Sequence, residues 1–206
     1  MKKFRFAILG AGHIARQFCD AVSRIDGCEV CAVASKSLAR AENFAKENGV
    51  ESYYDDYETL LEKERPDCAY IAVTPNDHYR LSVLCVNHSV PVLCEKAMFQ
   101  NSEEAKNLYA LASEKKIFVM EALWSRYLPA VQQAKRWVEQ EKIGKPTVLQ
   151  CNIGFLAPDE KENRYFNPKL GGGVAKDITV YAYEITTFIL NQVIRDISVS
   201  ATWSDT

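Results

Sequence analysis

Through the first 121 residues, short apolar runs alternate with segments whose apolar positions recur at helical spacing. Phe4 to Leu9, Glu29 to Ser35, Ser52 to Tyr54, Cys68 to Val73, Val92 to Cys94 and Ile117 to Glu121 read as strands. Their nearly continuous apolar character suits parallel strands covered on both faces. Between them, helices are predicted over about 14–25, 38–48, 56–62, 78–87 and 102–115. Turn chemistry agrees: Gly49 closes the second helix, Arg65-Pro66-Asp67 breaks the chain, and Thr74-Pro75-Asn76 ends the fourth strand. Glu103 and Glu104 sit in the first turn of the last helix, where the dipole favours acid. Strands alternating with helices predict a doubly wound parallel sheet over 1–121. Ligands of such sheets bind at the carboxyl ends of the strands, so Gly10, Ser35, Thr74 and Lys96 are expected to converge there.

Beyond Glu121 the texture changes. Leu128 to Glu141 reads as a helix with Val131, Ala134, Lys135 and Val138 at helical spacing, closed by Gly144. Thr147 to Phe155 is predicted as a strand, Leu156 to Leu170 as a long polar loop, and Val174 to Leu190 as a helix opened by Gly171-Gly172-Gly173. Ile194 to Trp203 alternates apolar and polar residues, as a half-exposed strand does. Residues 122–206 therefore form a second region, α+β in character.

The first candidate chemistry lies where the first strand meets the first helix. Gly10-Ala11-Gly12-His13-Ile14-Ala15 is the G-x-G-x-x-A form of the dinucleotide fingerprint. Gly10 permits the tight turn, Gly12 lets the backbone approach a diphosphate, and Ala15 lets the helix pack close to the strand. The helix opening at Ile14 points its free N–H groups at that diphosphate, with the exposed His13 in reach of a phosphate. At the end of the second strand, a cofactor without a 2′-phosphate would want an acid for its ribose hydroxyls. The chain instead offers Ser35, Lys36 and Arg40, hydroxyl and cations that favour NADP, with NAD admitted. The bland alternative is a solvated helix start with incidental charges.

Bulk properties narrow the field. The 206 residues are 48% apolar and 25% charged, an ordinary globular composition. A net charge of -2 gives no electrostatic case for nucleic acid or an anionic membrane surface. No apolar run approaches the ~18 residues of a membrane span, and the N-terminus enters a strand rather than a signal peptide, which makes the cytoplasm the expected location. Seven scattered cysteines with no secretory signal argue against a disulfide framework. Cys28-Glu29-Val30-Cys31 has C-x-x-C spacing, but along a strand those residues face opposite sides, so buried thiols and no metal are expected.

Four signatures in order, GAGHIA at 10–15, VLCEKA at 92–97, MEALWSRYLPA at 120–130 and FNPKLGGGVAKDITVY at 166–181, resemble the glucose-fructose oxidoreductase/inositol dehydrogenase (Gfo/Idh/MocA) family. The similar branch holds dihydrodiol dehydrogenase and NADP-linked xylose dehydrogenase. The resemblance implies a Rossmann domain, 1–121, and a C-terminal α+β domain with an open, mostly antiparallel sheet, of which 122–206 would be a part. It implies hydride transfer between a nicotinamide and a secondary alcohol of a sugar, polyol or cyclic diol, without metal, often in a homo-oligomer. It carries over Lys96, Asp177 and Tyr181 as catalytic, with Trp124 and Arg126 beside the substrate. Thr74, Pro75, Asn76, His78, Glu95 and Lys96 join the glycine loop as cofactor-lining residues. Three positions depart from the family pattern: Ala97 for the usual proline, Thr179 for the usual glycine, and a 74–78 loop one residue short. Relatives of this kind continue with further strands, so a chain ending at Ser204-Asp205-Thr206 is expected to be C-terminally truncated, with a strand edge that invites self-association.

The chemistry also follows from the residue types. Asp177 and Tyr181, four apart on one predicted helix, share a face. Removing hydride from a carbinol requires its hydroxyl proton to leave, and a tyrosine whose phenolate is favoured by a nearby ammonium can take it. The alternatives are a core tyrosine, a surface lysine and a dipole-favoured acid. At the level of function, the alternative is a catalytically weak NADP-binding fragment or sensor.

Overall fold

The computed structural model describes residues 2–158 and 163–202. The chain divides into two compact units, Met1–Ala122 and Leu123–Thr206.

In the first unit, β1 (Phe4–Leu9), β2 (Cys28–Ala34), β3 (Ser52–Tyr54), β4 (Cys68–Ile71), β5 (Val92–Cys94) and β6 (Val119–Glu121) form one parallel sheet in the order β3-β2-β1-β4-β5-β6. The register aligns the strands' last residues: Tyr54, Ala34, Leu9, Ile71, Cys94 and Glu121 lie in a single row. The side chains alternate as the pleat requires. Ala7, Leu9, Ala32, Ala34, Ala69 and Ile71 pack on one face with Leu60 and Leu61 of α3 (Tyr57–Glu64), Leu81 and Cys85 of α4 (Pro75–Asn87), and Leu108 of α5 (Ser102–Lys115). Ile8, Val33, Tyr70 and Ala72 face the other way, against Ala15 and Cys19 of α1 (His13–Ser23) and Phe44 of α2 (Leu38–Asn48). With both faces covered, the strands need the uninterrupted apolar runs that the sequence carries. This is the Rossmann arrangement expected from the pattern.

The helix ends follow local chemistry. Asp56 and Asn101 cap α3 and α5 by accepting the N–H groups of Thr59 and Glu104 at 2.7 and 3.0 Å. Gly49 ends α2 in the left-handed conformation at φ +67°. The fourth helix begins at Pro75, not at His78 as the pattern suggested, because proline at the first helical position has no N–H to leave unsatisfied. This places Asp77 and His78 in the first two turns of α4. Five cysteines are buried, Cys28 and Cys151 are half-buried, and all seven are thiols.

The regular elements among the described residues of the second unit are all helical: a 3₁₀ turn at Trp124–Tyr127, α6 (Pro129–Glu139), a second 3₁₀ turn at Pro168–Leu170, α7 (Val174–Asp177) and α8 (Thr179–Leu190). Three expectations fail here. Residues 147–155 form no strand, and neither do 194–202; Trp203, the end of the second predicted strand, lies outside the described residues. Alternation supplies a face, but a strand exists only in a ladder, and no described backbone of this unit pairs with either segment. The single predicted helix over 174–190 is broken at Ile178, with φ −117° and ψ −41°. Ile178, Thr179 and Val180 are consecutive β-branched residues, and the Thr179 hydroxyl donates to the Val174 carbonyl at 3.3 Å. No helix among the described residues is long and apolar enough to cross a membrane.

Ile71 is fully buried at the centre of the aligned row. Ile71→Ala should therefore cost about 2–5 kcal/mol of stability in urea unfolding. Ile25→Ala, at an exposed site, should stay within about 0.5 kcal/mol of wild type.

Candidate functional site

One residue beyond the aligned row, the ladder continues into the loops. Ser35 N–H donates to Tyr54, Gly10 to Ala34, Ala72 to Leu9, Glu95 to Ile71 and Ala122 to Cys94, all at 2.7–3.1 Å. The loops after β2, β1, β4, β5 and β6 are thereby pinned side by side at one edge. Gly10, Ser35, Thr74 and Lys96 all belong to them.

The glycine turn is built for a close approach. Gly10 has φ +112°, and a Cβ there would sit 2.6 Å from the Ala72 carbonyl oxygen. Only glycine lets this turn close on the end of β4. Gly12 caps α1 with extended backbone and no side-chain acceptor, and the first turn of α1 holds no acid. A Cβ on Gly12 would meet nothing nearer than 3.8 Å. An uncapped helix N-terminus beside an uncrowded glycine fits a diphosphate, whose oxygens would accept from N–H groups in the first turn of α1. Gly12 and His13 are exposed and Ile14 is half-buried. The His13 ring contacts Gln17 at 3.2 Å.

The end of β2 differs from a simple phosphate clasp. Ser35 is buried, Ser37 caps α2 by accepting from Arg40 N–H at 3.4 Å, and Arg40 itself is exposed. Lys36 reaches Asp77, its Nζ 2.6 Å from Oδ2. Arg80 Nε donates to Oδ1 of the same carboxylate at 3.3 Å. Burial pulls the Asp77 carboxyl upward, but hydrogen bonds and charge from Lys36 and Arg80 outweigh it and hold the group below the usual carboxylate range.

Beyond Thr74 and Pro75, which open α4, His78 is buried. Its Nδ1 lies 2.9 Å from the Ala97 carbonyl and its Nε2 3.0 Å from that of Val73. Burial lowers its pKa against the pull of those two carbonyls. His78 thus ties the loop after β4 to the loop after β5. Glu95 accepts from Tyr70 Oη–H at 2.6 Å and from Lys96 N–H at 3.3 Å. Burial raises its pKa, opposed by those bonds. The Tyr70 ring stacks on Phe18 of α1 at 3.9 Å. Lys96 is half-buried, and its peptide bond to Ala97 is cis.

In the second unit, Tyr181 on α8 accepts a hydrogen bond from Trp124 Nε1 at 2.8 Å, with the rings edge to face. Glu184, one helical turn on, is 2% exposed. It accepts from Ser125 Oγ at 2.6 Å and from Arg126 Nε at 2.7 Å. Arg126 also lies over the Phe188 ring at 5.4 Å. Three consecutive residues, 124–126, are therefore clamped to one face of α8. Asp177 ends α7, with Arg164 Nη1 3.7 Å from its carboxylate. Because of the break at Ile178, Asp177 and Tyr181 are on separate helices rather than one continuous face. A Cβ on Gly172 would meet the Arg164 and Asn167 carbonyls at 2.5 and 2.8 Å, so the glycine run lets the 163–167 loop close against the start of α7.

Sequence reasoning missed Asp77, Arg80 and Glu184. Glu184 was detectable as the only charged residue in the apolar helix TVYAYEITTFIL. Asp77 was not, because its partner Lys36 is 41 residues away in the chain.

Comparison with known proteins bears on the same regions. Residues 4–123 match the family described as an oxidoreductase family with an NAD-binding Rossmann fold, GFO_IDH_MocA. Residues 131–206 match the GFO/IDH/MocA C-terminal domain. The trans-1,2-dihydrobenzene-1,2-diol dehydrogenase of Danio rerio is 30% identical over 91% of this chain and 56% of its own length. That of Mus musculus is 33% identical over 90% and 56%. The chain thus spans about half the length of these relatives. Among solved structures, an oxidoreductase from Agrobacterium radiobacter, in complex with NAD+, L-tartaric acid and magnesium, has a TM-score of 0.78 at 23% identity, covering 93% of this chain and 56% of that one. A 3-ketoreductase from Actinomadura kijaniata, in complex with TDP-benzene and NADP, has a TM-score of 0.64 at 25% identity, covering 69% and 46%.

Removing Glu184 would strand the Ser125 hydroxyl and part of the Arg126 guanidinium. Glu184→Ala should cost about 2–3 kcal/mol in urea unfolding, since Arg126 is partly solvated and recovers some hydration. It should also change the tryptophan fluorescence that is lost in Trp124→Phe.

Proposed function

The chain belongs to the GFO/IDH/MocA oxidoreductase family, and from that premise we propose that it binds NADP in preference to NAD and transfers hydride to or from a secondary alcohol of a sugar, polyol or cyclic diol. One observation carries the cofactor half of this reading. The uncapped N-terminus of α1 opens over Gly12 at the edge where five loops are pinned in register. Diphosphate is the chemistry that such a cradle takes.

The exposed Arg40 in the first turn of α2 supports the preference for a 2′-phosphate, and the segment that follows β2, Ser35 to Arg40, contributes no acid of its own to receive free ribose hydroxyls. Lys36 contributes less than its charge suggests, because Asp77 holds it. The buried Ser35 supports the loop through its N–H.

When bound, the nicotinamide accepts or returns the hydride. The chain's own work is to manage the proton and hold the alcohol. Tyr181 is the proposed proton carrier. Trp124 donates an indole N–H to its oxygen, a fixed dipole that meets the negative charge developing as the phenol proton leaves. Lys96, on the loop after β5, is the proposed cation of the reaction, with Glu95 and Tyr70 holding its loop. Asp177 is proposed to accept from a substrate hydroxyl. Trp124 is half-exposed, as a residue lining a substrate would be, and Arg126 is proposed to act there through the Glu184 clamp. The names of the curated relatives favour a vicinal diol as the first substrate to try.

Two results test the reading. Arg40→Ala should weaken NADP about tenfold and leave NAD almost unchanged in calorimetric titration; an equal loss for both would remove Arg40 from the 2′-phosphate site. Tyr181→Phe keeps the volume and loses the phenol, so cofactor should still bind. Turnover of a panel of diols, inositols and aldoses, followed by nicotinamide absorbance, should fall by about 10²–10⁴-fold. Cofactor binding by the wild type with no turnover of any member would favour a nucleotide-binding module without catalysis.

A further inference from the structure

Asp77 stands at the carboxyl edge of the first unit, and the cofactor reading gives it no role. Its side chain is 15% exposed, and its two oxygens are divided between Lys36 at 2.6 Å and Arg80 at 3.3 Å. The first of these bridges is unusual in its path. Lys36 follows β2 and Asp77 follows β4, and β1 lies between those strands in the sheet. The ion pair therefore spans the end of the strand whose turn carries Gly10 and Gly12.

The loop after β2, the first turn of α2 and the first two turns of α4 bring three cations to this edge, Lys36, Arg40 and Arg80, and one acid, Asp77. The acid sits in the first turn of α4, where the helix dipole favours its charged form. Lys36 is two-thirds exposed on a flexible stem and can turn to another anion. A 2′-phosphate brings about two negative charges to the cation that the carboxylate already holds. A ribose with a free 2′-hydroxyl brings none. The carboxylate thus works against one cofactor and is indifferent to the other.

We propose that Asp77 is a specificity-determining residue for the cofactor, a role that rests on the dinucleotide reading above: by engaging Lys36 and repelling a 2′-phosphate, it restrains the preference for NADP and keeps NAD usable. Discrimination then depends on Arg40, with Lys36 held in reserve. Arg80 balances the acid from the exposed side of α4.

The pair 2′,5′-ADP and 5′-AMP isolates the 2′-phosphate, and calorimetric titration of the full 206-residue chain reads binding without any need for turnover. Asp77→Asn should tighten 2′,5′-ADP about fivefold, the size of one unit-charge contact near water, and leave 5′-AMP within about twofold. Asp77→Ser should act in the same direction. Lys36→Ala should cost little by itself and several times more in the Asp77→Asn background, the coupling expected when one residue masks another. The gain should shrink as salt is raised. An unchanged ratio of the two affinities overturns the proposal. So does a weakened 2′,5′-ADP, because Asp77 would then be aiming Lys36 at the phosphate. Retained 5′-AMP binding shows that a variant is folded. If wild type binds neither nucleotide, the dinucleotide reading fails and the proposal falls with it, a result distinct from an unchanged ratio.

Discussion

The first unit depends on one row of hydrogen bonds. Six parallel strands end in register, and the next residue of five neighbouring loops donates back across the sheet. A parallel sheet brings successive strand ends to the same edge because every crossover returns the chain to the opposite one. Here the alignment is tight enough that the glycine turn after β1 closes directly on the Ala72 carbonyl. Loop positions that would otherwise wander are fixed by backbone atoms alone, before any side chain acts.

Side chains then link the loops in pairs. His78 joins the loops after β4 and β5 through two carbonyls, and Lys36 with Asp77 joins those after β2 and β4. Tyr70 is the connection from the core outward. Its ring packs on Phe18 of α1 while its hydroxyl holds Glu95 beside Lys96. The glycine-turn end and the lysine end of the edge are therefore supported by the same buried ring. Polar groups of this kind are costly when left unpaired, which is why each has a short partner.

The second unit uses the same device on a smaller scale. Its described helices bury little apolar surface, and α6 has no buried residue. What orders the stretch 124–126 is the carboxylate of Glu184, accepting from two neighbours in sequence while the indole of the third reaches Tyr181. A single acid in an apolar helix thus decides where an aromatic pair stands. The broken helix shows the converse. Spacing placed Asp177 and Tyr181 on a common face, but three β-branched residues in a row separate them into two helices.

The parallel sheet, the helices of the first unit, the buried thiols and the glycine turn were all determined by the order of apolar and small residues. These are local or periodic properties, and the burial of both sheet faces makes them consistent with one another. Only the tertiary structure decided which charges oppose each other. Lys36 and Asp77 lie 41 residues apart in the chain, and Arg126 and Glu184 lie 58 apart, separations at which spacing carries no information. It also decided that Ser35 and His78 are buried, and that 147–155 and 194–202 form no strand despite their pattern. A strand is a property of two backbones and an ion pair of two side chains, so neither can be read from one segment alone.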